Sequence, residues 1–410
     1  MIISICEVLL MSVFINRQFA IVFSGQLVST VGNNLFMIAL PWYVYSITGS
    51  KADLAFTGLF QTIPGFVGLF IGVFIDRWRK KQTLLVTNML RGMISFALYV
   101  VVQFHPPLMM ILILVLLLEL IGTFYRPASS SFLPLILPKE KISSAMGFVQ
   151  SGGAFAQLFG VLLGGTLIVL IGAPLLFLLN GITFVLSFIS LLFVRVKEVI
   201  HTPPKQESFA HQWLDGIRTI LHIGLLLRIT LAIMVGNCVI APLDLIMTAW
   251  VKGPMHGNAF QLGTINAAFF IGILVGGVLL GRINKRMDLK TILLVGMVIS
   301  GVAISLIGLF PNMYWAIPFE FIFGYAYGSL NGCIGALALQ VIPEQMRGRL
   351  FATLGALSTL IVPLGMALYG WFLVIIPIHW IYLLIGIPAI LSGLSFLIPL
   401  KEKPSVKIAN

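Results

Sequence analysis

The sequence predicts an all-α integral membrane protein whose twelve transmembrane helices fall into two pseudo-symmetric six-helix halves. Three observations carry that prediction. Of 410 residues, 59% are hydrophobic and 9% charged, with a mean hydropathy of +1.07, where soluble domains carry about 25% charge. From Phe19 onward, apolar stretches follow one another with short breaks, each long enough to cross ~30 Å of hydrocarbon. The third is a repeat: GVFIDRWRKK at 72–81 returns as GVLLGRINKR at 277–286. Gly72 lies over Gly277, Val73 over Val278, Arg77 over Arg282 and Lys80 over Lys285, each 205 residues apart, and the same offset puts Pro138 over Pro343. An offset of half the chain length indicates a duplicated membrane domain.

Taken in order, residues 1–18 are expected to be a cytoplasmic N-terminal segment. The first 16 are apolar but lack a basic n-region and a small-residue cleavage site, so no cleaved signal peptide is expected, and Met11 opens a more ordinary start. Spans 1 to 6 are placed at 19–47, 53–75, 83–104, 108–133, 141–171 and 174–194, an N-terminal half of 19–194. The stretch 195–226 is the one long polar connection, broken by Pro203-Pro204, and reads as a cytoplasmic linker. Spans 7 to 12 follow at 227–250, 259–280, 290–310, 313–340, 350–375 and 378–399, a C-terminal half of 227–400 with a cytoplasmic tail at 401–410. Lys and Arg set the orientation. The N-terminus, the loops after even-numbered spans and the tail hold 21 of the 25, whereas the opposite loops hold Lys51 and Lys252. Both termini are therefore expected in the cytoplasm of a multi-pass cell-membrane protein.

The net charge of +12 resides in these loop clusters and reads as topology, so no nucleic-acid partner is expected. Cys6, Cys238 and Cys333 lie in apolar segments without metal or disulfide spacing. The six histidines sit in loops or span ends without HExxH, and no phosphate-binding G-x-x-x-x-G-K-[ST] run occurs. No enzyme chemistry, metal site, cofactor or ATP drive is expected from this chain.

The stretch at 72–81 has a physical reading beyond topology. Asp76 ends span 2, where a carboxylate can accept hydrogen bonds from a neighbouring helix N-terminus. Arg77, Arg79, Lys80 and Lys81 can meet anionic lipid headgroups or carboxylates of the other half. The cluster then acts as a cytoplasmic latch, whereas basic residues that only fixed topology would need no Asp. In the second copy Gly281 takes the place of the Asp, beside Arg282.

Five charges lie inside spans: Arg91, Glu119, Arg126, Asp244 and Glu320. Ionisable groups in a bilayer face water-filled paths or partners. Glu119 and Arg126, seven apart on span 4, share a helix face about 10 Å apart along the axis. Glu119 is either a neutral, hydrogen-bonded carboxyl or one that takes and gives up protons. Asp244 follows Pro242 on span 7 and Glu320 follows Pro318 on span 10, both beside weakened helix segments. Either can hold a cation or proton, or Asp244 can be a rim residue near Trp250. Arg91, on span 3, is expected to snorkel or pair locally as a structural residue. Adjacent amides at Asn33 and Asn34 on span 1 need partners and favour an inward position. Glycines four apart, Gly160/Gly164 and Gly272/Gly276, allow close helix approach.

Twelve spans in two parallel halves, with a basic motif after spans 2 and 8, resemble the major facilitator superfamily. Its pattern after span 2 is G-x-L-A-D-R-x-G-R-K-K. Gly72, Asp76, Arg77 and Lys81 match, Lys80 keeps the charge in place of Arg, and Ile75 and Arg79 depart from it. The run from Phe19 to Gly49, Arg91 within TNMLRG and the PEQMRGRLFA loop at 343–352 are similar to the macrolide-efflux-like and enterobactin-exporter-like branch. The resemblance implies that helices 1, 4, 7 and 10 line a central cavity. Four of the five intramembrane charges fall on helices 4, 7 and 10. It also places Phe36, Trp42, Tyr43, Phe124, Tyr125, Phe319 and Tyr325 on cavity helices, where aromatic walls suit amphiphilic ligands. The expected function is a secondary active exporter of a small amphiphilic, drug-like compound. It would exchange the cargo for protons by alternating access, as a monomer among membrane lipids. A siderophore, lysophospholipid or metabolite permease and a non-transporting membrane sensor or assembly protein are the rivals. The expected substrate and proton pathway comprises Glu119, Arg126, Asp244, Glu320, Asn33, Asn34, Trp42 and Tyr125. The expected latch comprises Gly72, Asp76, Arg77, Lys80, Lys81 and Arg282.

Overall fold

The structure, a computed structural model, describes residues 16–75, 78–196, 209–342 and 346–398. Among them the regular elements are all helices. Asn16 opens α1 (Arg17–Thr48), its Oδ1 accepting from the amides of Gln18 and Phe19 while its Nδ2 donates to Ile136 O at 2.8 Å. At 1.5 Å per residue this 32-residue helix is about 48 Å long, ample for a crossing. It stops at Gly49, whose φ of +62° glycine adopts without strain. Ser50 caps α2 (Lys51–Thr62) through its hydroxyl, which accepts from Asp53 N.

Span 2 is a broken passage. Pro64 brings no N–H to the ladder, and α3 (Pro64–Ile75) starts afresh there, leaving two helices of 12 residues each. The unit then continues through α4 (Lys80–Val102), α5 (Leu108–Ile136), α6 (Lys139–Ile171) and α7 (Ala173–Leu192). Within the stretch expected as a polar linker, residues 209–222 form a further helix, α8 (Phe209–His222).

Span 7 is broken as well, into α9 (Gly224–Ile240) and α10 (Leu243–Lys252), with Ala241-Pro242 between them. The remaining helices are α11 (Ala259–Ile283), α12 (Leu289–Leu309), α13 (Met313–Val341), α14 (Arg347–Ile375) and α15 (Ile378–Leu394). Pro318 does not break α13, which runs through it unbroken. Among the described residues, eleven stretches are long and apolar enough to cross a membrane. The broken α2–α3 passage is the twelfth.

The chain divides into two compact units. One reaches to Pro204 and includes Met247–Ala267; the other comprises Lys205–Ile246 and the chain from Ala268 onward. In the first, α1 packs on α6 and α7, α4 packs on α5 and α7, and α2 and α3 lie along α5. One end is sealed by Phe19, Val22, Phe132, Leu133 and Ile136. Glycines set the spacing: Gly25 and Gly32 of α1 lie against Ser190 and Thr183 of α7, and Gly160 and Gly164 of α6 lie against Asn34 and Ile38 of α1. In the second unit, α12 packs on α13 and α15, and α9 packs on α14. There Gly272 and Gly276 of α11 meet the backbone of Phe321 and Tyr325 on α13, where any side chain would collide. α8 also belongs to this unit, with Ile220 buried among Leu226, Ile342, Leu350 and Leu354.

Candidate functional site

The first unit buries a set of polar side chains among its helices, Asn88, Arg91, Ser95, Asn180 and Ser187 among them. Arg91 sits twelve positions into the 23-residue α4 and is only 7% exposed. Of its two expected behaviours, snorkelling is ruled out and local pairing is what the structure shows. Its Nη2 donates to Asn33 Oδ1 of α1 at 2.9 Å, and its Cζ lies 4.2 Å from the centre of the Phe184 ring on α7. Gly122 of α5 leaves room for the guanidinium, since a methyl there would approach Cζ to 3.4 Å.

Glu119 is three residues before Gly122 and so lies on the same side of α5. Its carboxyl is within electrostatic reach of Arg91, and its Oε1 is buried without a hydrogen-bond partner. Tyr125 also looks into this bundle, its hydroxyl facing those of Ser187 on α7 and Ser29 on α1. Asn34, beside Asn33, turns instead to its own helix, donating to Thr30 O at 2.7 Å. Arg126 is exposed, and the structure does not bring it to Glu119. A buried polar atom without a partner costs about 1–3 kcal/mol. Asn88 Oδ1, Arg91 Nε, Ser95 Oγ and both amide atoms of Asn180 share that condition with Glu119 Oε1.

Trp42 has a different partner. The Lys252 ammonium lies 5.2 Å from its ring centre and 5.8 Å from that of Tyr45, and it hydrogen-bonds Ser46 Oγ. Phe36 and Tyr43, expected on a cavity wall, pack edge-on against Phe177 of α7 as core.

In the second unit Glu320 is 5% exposed. It lies within electrostatic reach of Asp244, at the start of α10, and of the buried Tyr382 on α15. The structure therefore brings the two acidic residues together. Asp244 is the exposed member of the pair.

Of the latch residues, Asp76 and Arg77 lie outside the described residues, and Gly72 lies near the end of α3. Lys80 and Lys81 open α4, with Lys80 Nζ donating to Trp78 O at 3.0 Å. Trp78 in turn stacks on Phe124 at 5.8 Å. Arg282 is exposed at the end of α11, where it lines a cavity of about 380 Å³ with Lys285, Arg286 and Tyr325.

Sequence reasoning missed Arg91 as a site residue, and with it Asn88, Ser95, Asn180 and Ser187. The signal was present: Asn88, Arg91 and Ser95 recur at helical spacing on one face of an otherwise apolar span.

The family model described as Major Facilitator Superfamily matches residues 22–253 and 243–410. Macrolide efflux protein A of Streptococcus pyogenes is 22% identical over 372 residues, covering 89% of this chain and 92% of the relative. The multidrug efflux pump Tap of Mycolicibacterium fortuitum is 21% identical over 380 residues, covering 90% and 92%. The multidrug resistance protein MdtG of Enterobacter lignolyticus is 26% identical over 349 residues, covering 82% and 81%. Among solved structures, a mutant of the nucleoside transporter NupG superposes with a TM-score of 0.77 at 10% identity, covering 93% of this chain and 98% of that one. A bacterial homologue of the iron transporter ferroportin, in an inward-facing state, gives 0.71 at 16% identity, covering 93% and 98%.

Proposed function

The chain belongs to the Major Facilitator Superfamily, and from that premise we propose that this multi-pass membrane transporter is a proton-coupled exporter of amphiphilic, drug-like compounds. The direction and cargo class rest on the relatives, whose names are those of macrolide and multidrug efflux proteins. Coupling rests on one observation, the Glu119 carboxyl. It lies halfway along a membrane-spanning helix, with Oε1 buried and unbonded and a cation within electrostatic reach. A carboxyl so placed has two accessible states, a neutral acid and a carboxylate answered by Arg91. A coupling group needs such a pair of states. Asp244 and Glu320 form the second acidic locus, suited to a cationic part of the cargo, and transport proceeds by alternating access, with both termini in the cytoplasm. The domain division is proposed as 19–194 and 227–400, joined by 195–226.

The test uses purified protein in vesicles. Glu119→Gln is expected to abolish export against a concentration gradient driven by a pH gradient, while downhill equilibration of the same dye or drug persists. Unchanged uphill export removes Glu119 from the mechanism. A susceptibility panel in a pump-deficient host identifies the cargo, and the absence of any change across the panel contradicts drug export.

A further inference from the structure

The faces that α4 and α7 turn toward each other form a polar seam that the proposed export function does not itself require. Asn88, Arg91 and Ser95 recur three and four residues apart on α4 and are all buried. α7 runs antiparallel to α4 and meets them in register. Asn88 Nδ2 donates to Ser187 Oγ at 3.0 Å, Gly92 lies against Gly181 and Phe184, and Gly181 lies against Phe96. Packing alone does not call for a cation in such a place, because an apolar side chain of similar volume serves as well or better. Arg91 nevertheless sits there, bonded to Asn33 through Nη2 and braced by Phe184, with its Nε buried and unbonded. Within electrostatic reach is one buried carboxyl, Glu119, with an unbonded oxygen of its own. A cationic donor and a carboxyl acceptor, both orphaned, face one bundle interior.

We propose that Arg91 is the positioning residue of the Glu119 carboxyl. Asn33 and Phe184 hold the guanidinium, whose Nε bonds the Glu119 carboxylate, directly or through one water, once that group has lost its proton. Return of the proton dissolves the bond and frees α5 to shift against α4. The inference rests on the reading of Glu119 as the coupling group. Among the described residues, the other polar groups recorded against Arg91 are Asn33 on α1 and the Tyr125 phenol on α5, which in turn faces the hydroxyls of Ser29 on α1 and Ser187 on α7. Except for the Tyr125 phenol, these do not titrate, so among the described residues Arg91 is the charge that acts on Glu119 beside the effect of burial itself.

The experiment reads the proton on Glu119 without transport. Dicyclohexylcarbodiimide, which attacks protonated carboxyls in apolar sites, is applied to purified full-length protein over a pH series, and the Glu119 peptide is quantified by mass spectrometry. In Arg91→Gln the half-labelling pH is expected to rise by about one unit, a tenfold change in proton affinity. In Arg91→Lys, which keeps the charge and loses Nε, it is expected to rise by less than half as much. An unmoved midpoint in Arg91→Gln overturns the inference. Where Arg91→Gln does not fold, an unmoved midpoint in Arg91→Lys does so. The two readings fail separately. Unimpaired uphill export by Glu119→Gln defeats the coupling role, whatever the labelling shows. Lost uphill export together with an unmoved midpoint defeats Arg91 alone.

Discussion

At the scale of single residues, the placement of a charge in the bundle decides its role more than its type does. Glu119 and Glu320 are both acids on membrane-spanning helices. The first has an arginine within reach, and the second has another carboxyl, Asp244, and a buried tyrosine. Two carboxylates near one another, one of them buried, attract a cation more than either alone, and the buried one more strongly because the Coulomb term grows as the effective dielectric falls. Glu320→Gln should therefore weaken binding of a lipophilic cation about tenfold while moving that of a matched neutral analogue by less than threefold, a difference of about 1 kcal/mol. Titration of both analogues against purified protein checks it, and equal losses would refute the charge argument. Trp42, an aromatic expected to line a cavity, has the Lys252 ammonium over its ring.

At the scale of elements, the helices are fixed by their caps and by what their glycines admit. Asp288 precedes α12, its Oδ1 accepting from the Thr291 hydroxyl at 2.5 Å and its Oδ2 from the Thr291 amide at 3.3 Å. The bond from the Thr291 hydroxyl, with the backbone amides beside it, holds the Asp288 carboxyl below the usual carboxylate range. A depressed folded value means the cap contributes fully above the unfolded value of about 3.9. Its contribution fades as pH falls through the lower folded one. Asp288→Ala is expected to cost about 1 kcal/mol at pH 7, with the difference from wild type shrinking below about pH 4, as read by thermal melting in detergent. Equal melting temperatures at pH 7 would remove the cap from the account. Gly276 is less forgiving, because a side chain there runs into the Tyr325 backbone, which cannot give way as a rotamer can. Gly276→Leu should separate α11 from α13 and cost about 1–3 kcal/mol or more, with a lower melting temperature and reduced yield. A wild-type melting temperature would show that the two helices can part without loss.

At the scale of the whole molecule, the proposed alternating access makes the side to which the transporter opens an equilibrium, and the proposed cytoplasmic latch would act on that equilibrium and not on cargo contacts. Asp76→Asn is expected to leave insertion and yield unchanged and to lower transport at least tenfold by shifting the population between inward- and outward-open states. Spin-label distances across the two units would show the shift. Full transport at normal expression would mean that the basic cluster only sets topology.

The sequence by itself determined the membrane class, the helical passages, the duplication and the family, because these follow from hydropathy, spacing and a loop motif, all properties of neighbours along the chain. It also placed Asp244 and Glu320 beside helix-weakening prolines, and the turn at Pro242 follows from the missing N–H of proline. Pro318, six residues into α13, falls where little of the hydrogen-bond ladder has yet formed, and the helix absorbs it. The helix at 209–222 lay inside a segment that read as polar connection. Its apolar side chains, Ile220 among them, are spaced for a helix, and neighbours from distant parts of the chain, Ile342, Leu350 and Leu354, make that helix worth forming. What tertiary structure alone decided is which charges meet. Arg91 and Glu119 are 28 residues apart on different helices, and nothing in their spacing turns one toward the other. The register of α4 against α5 and α7, set where glycines let backbones approach, brings them into one bundle interior.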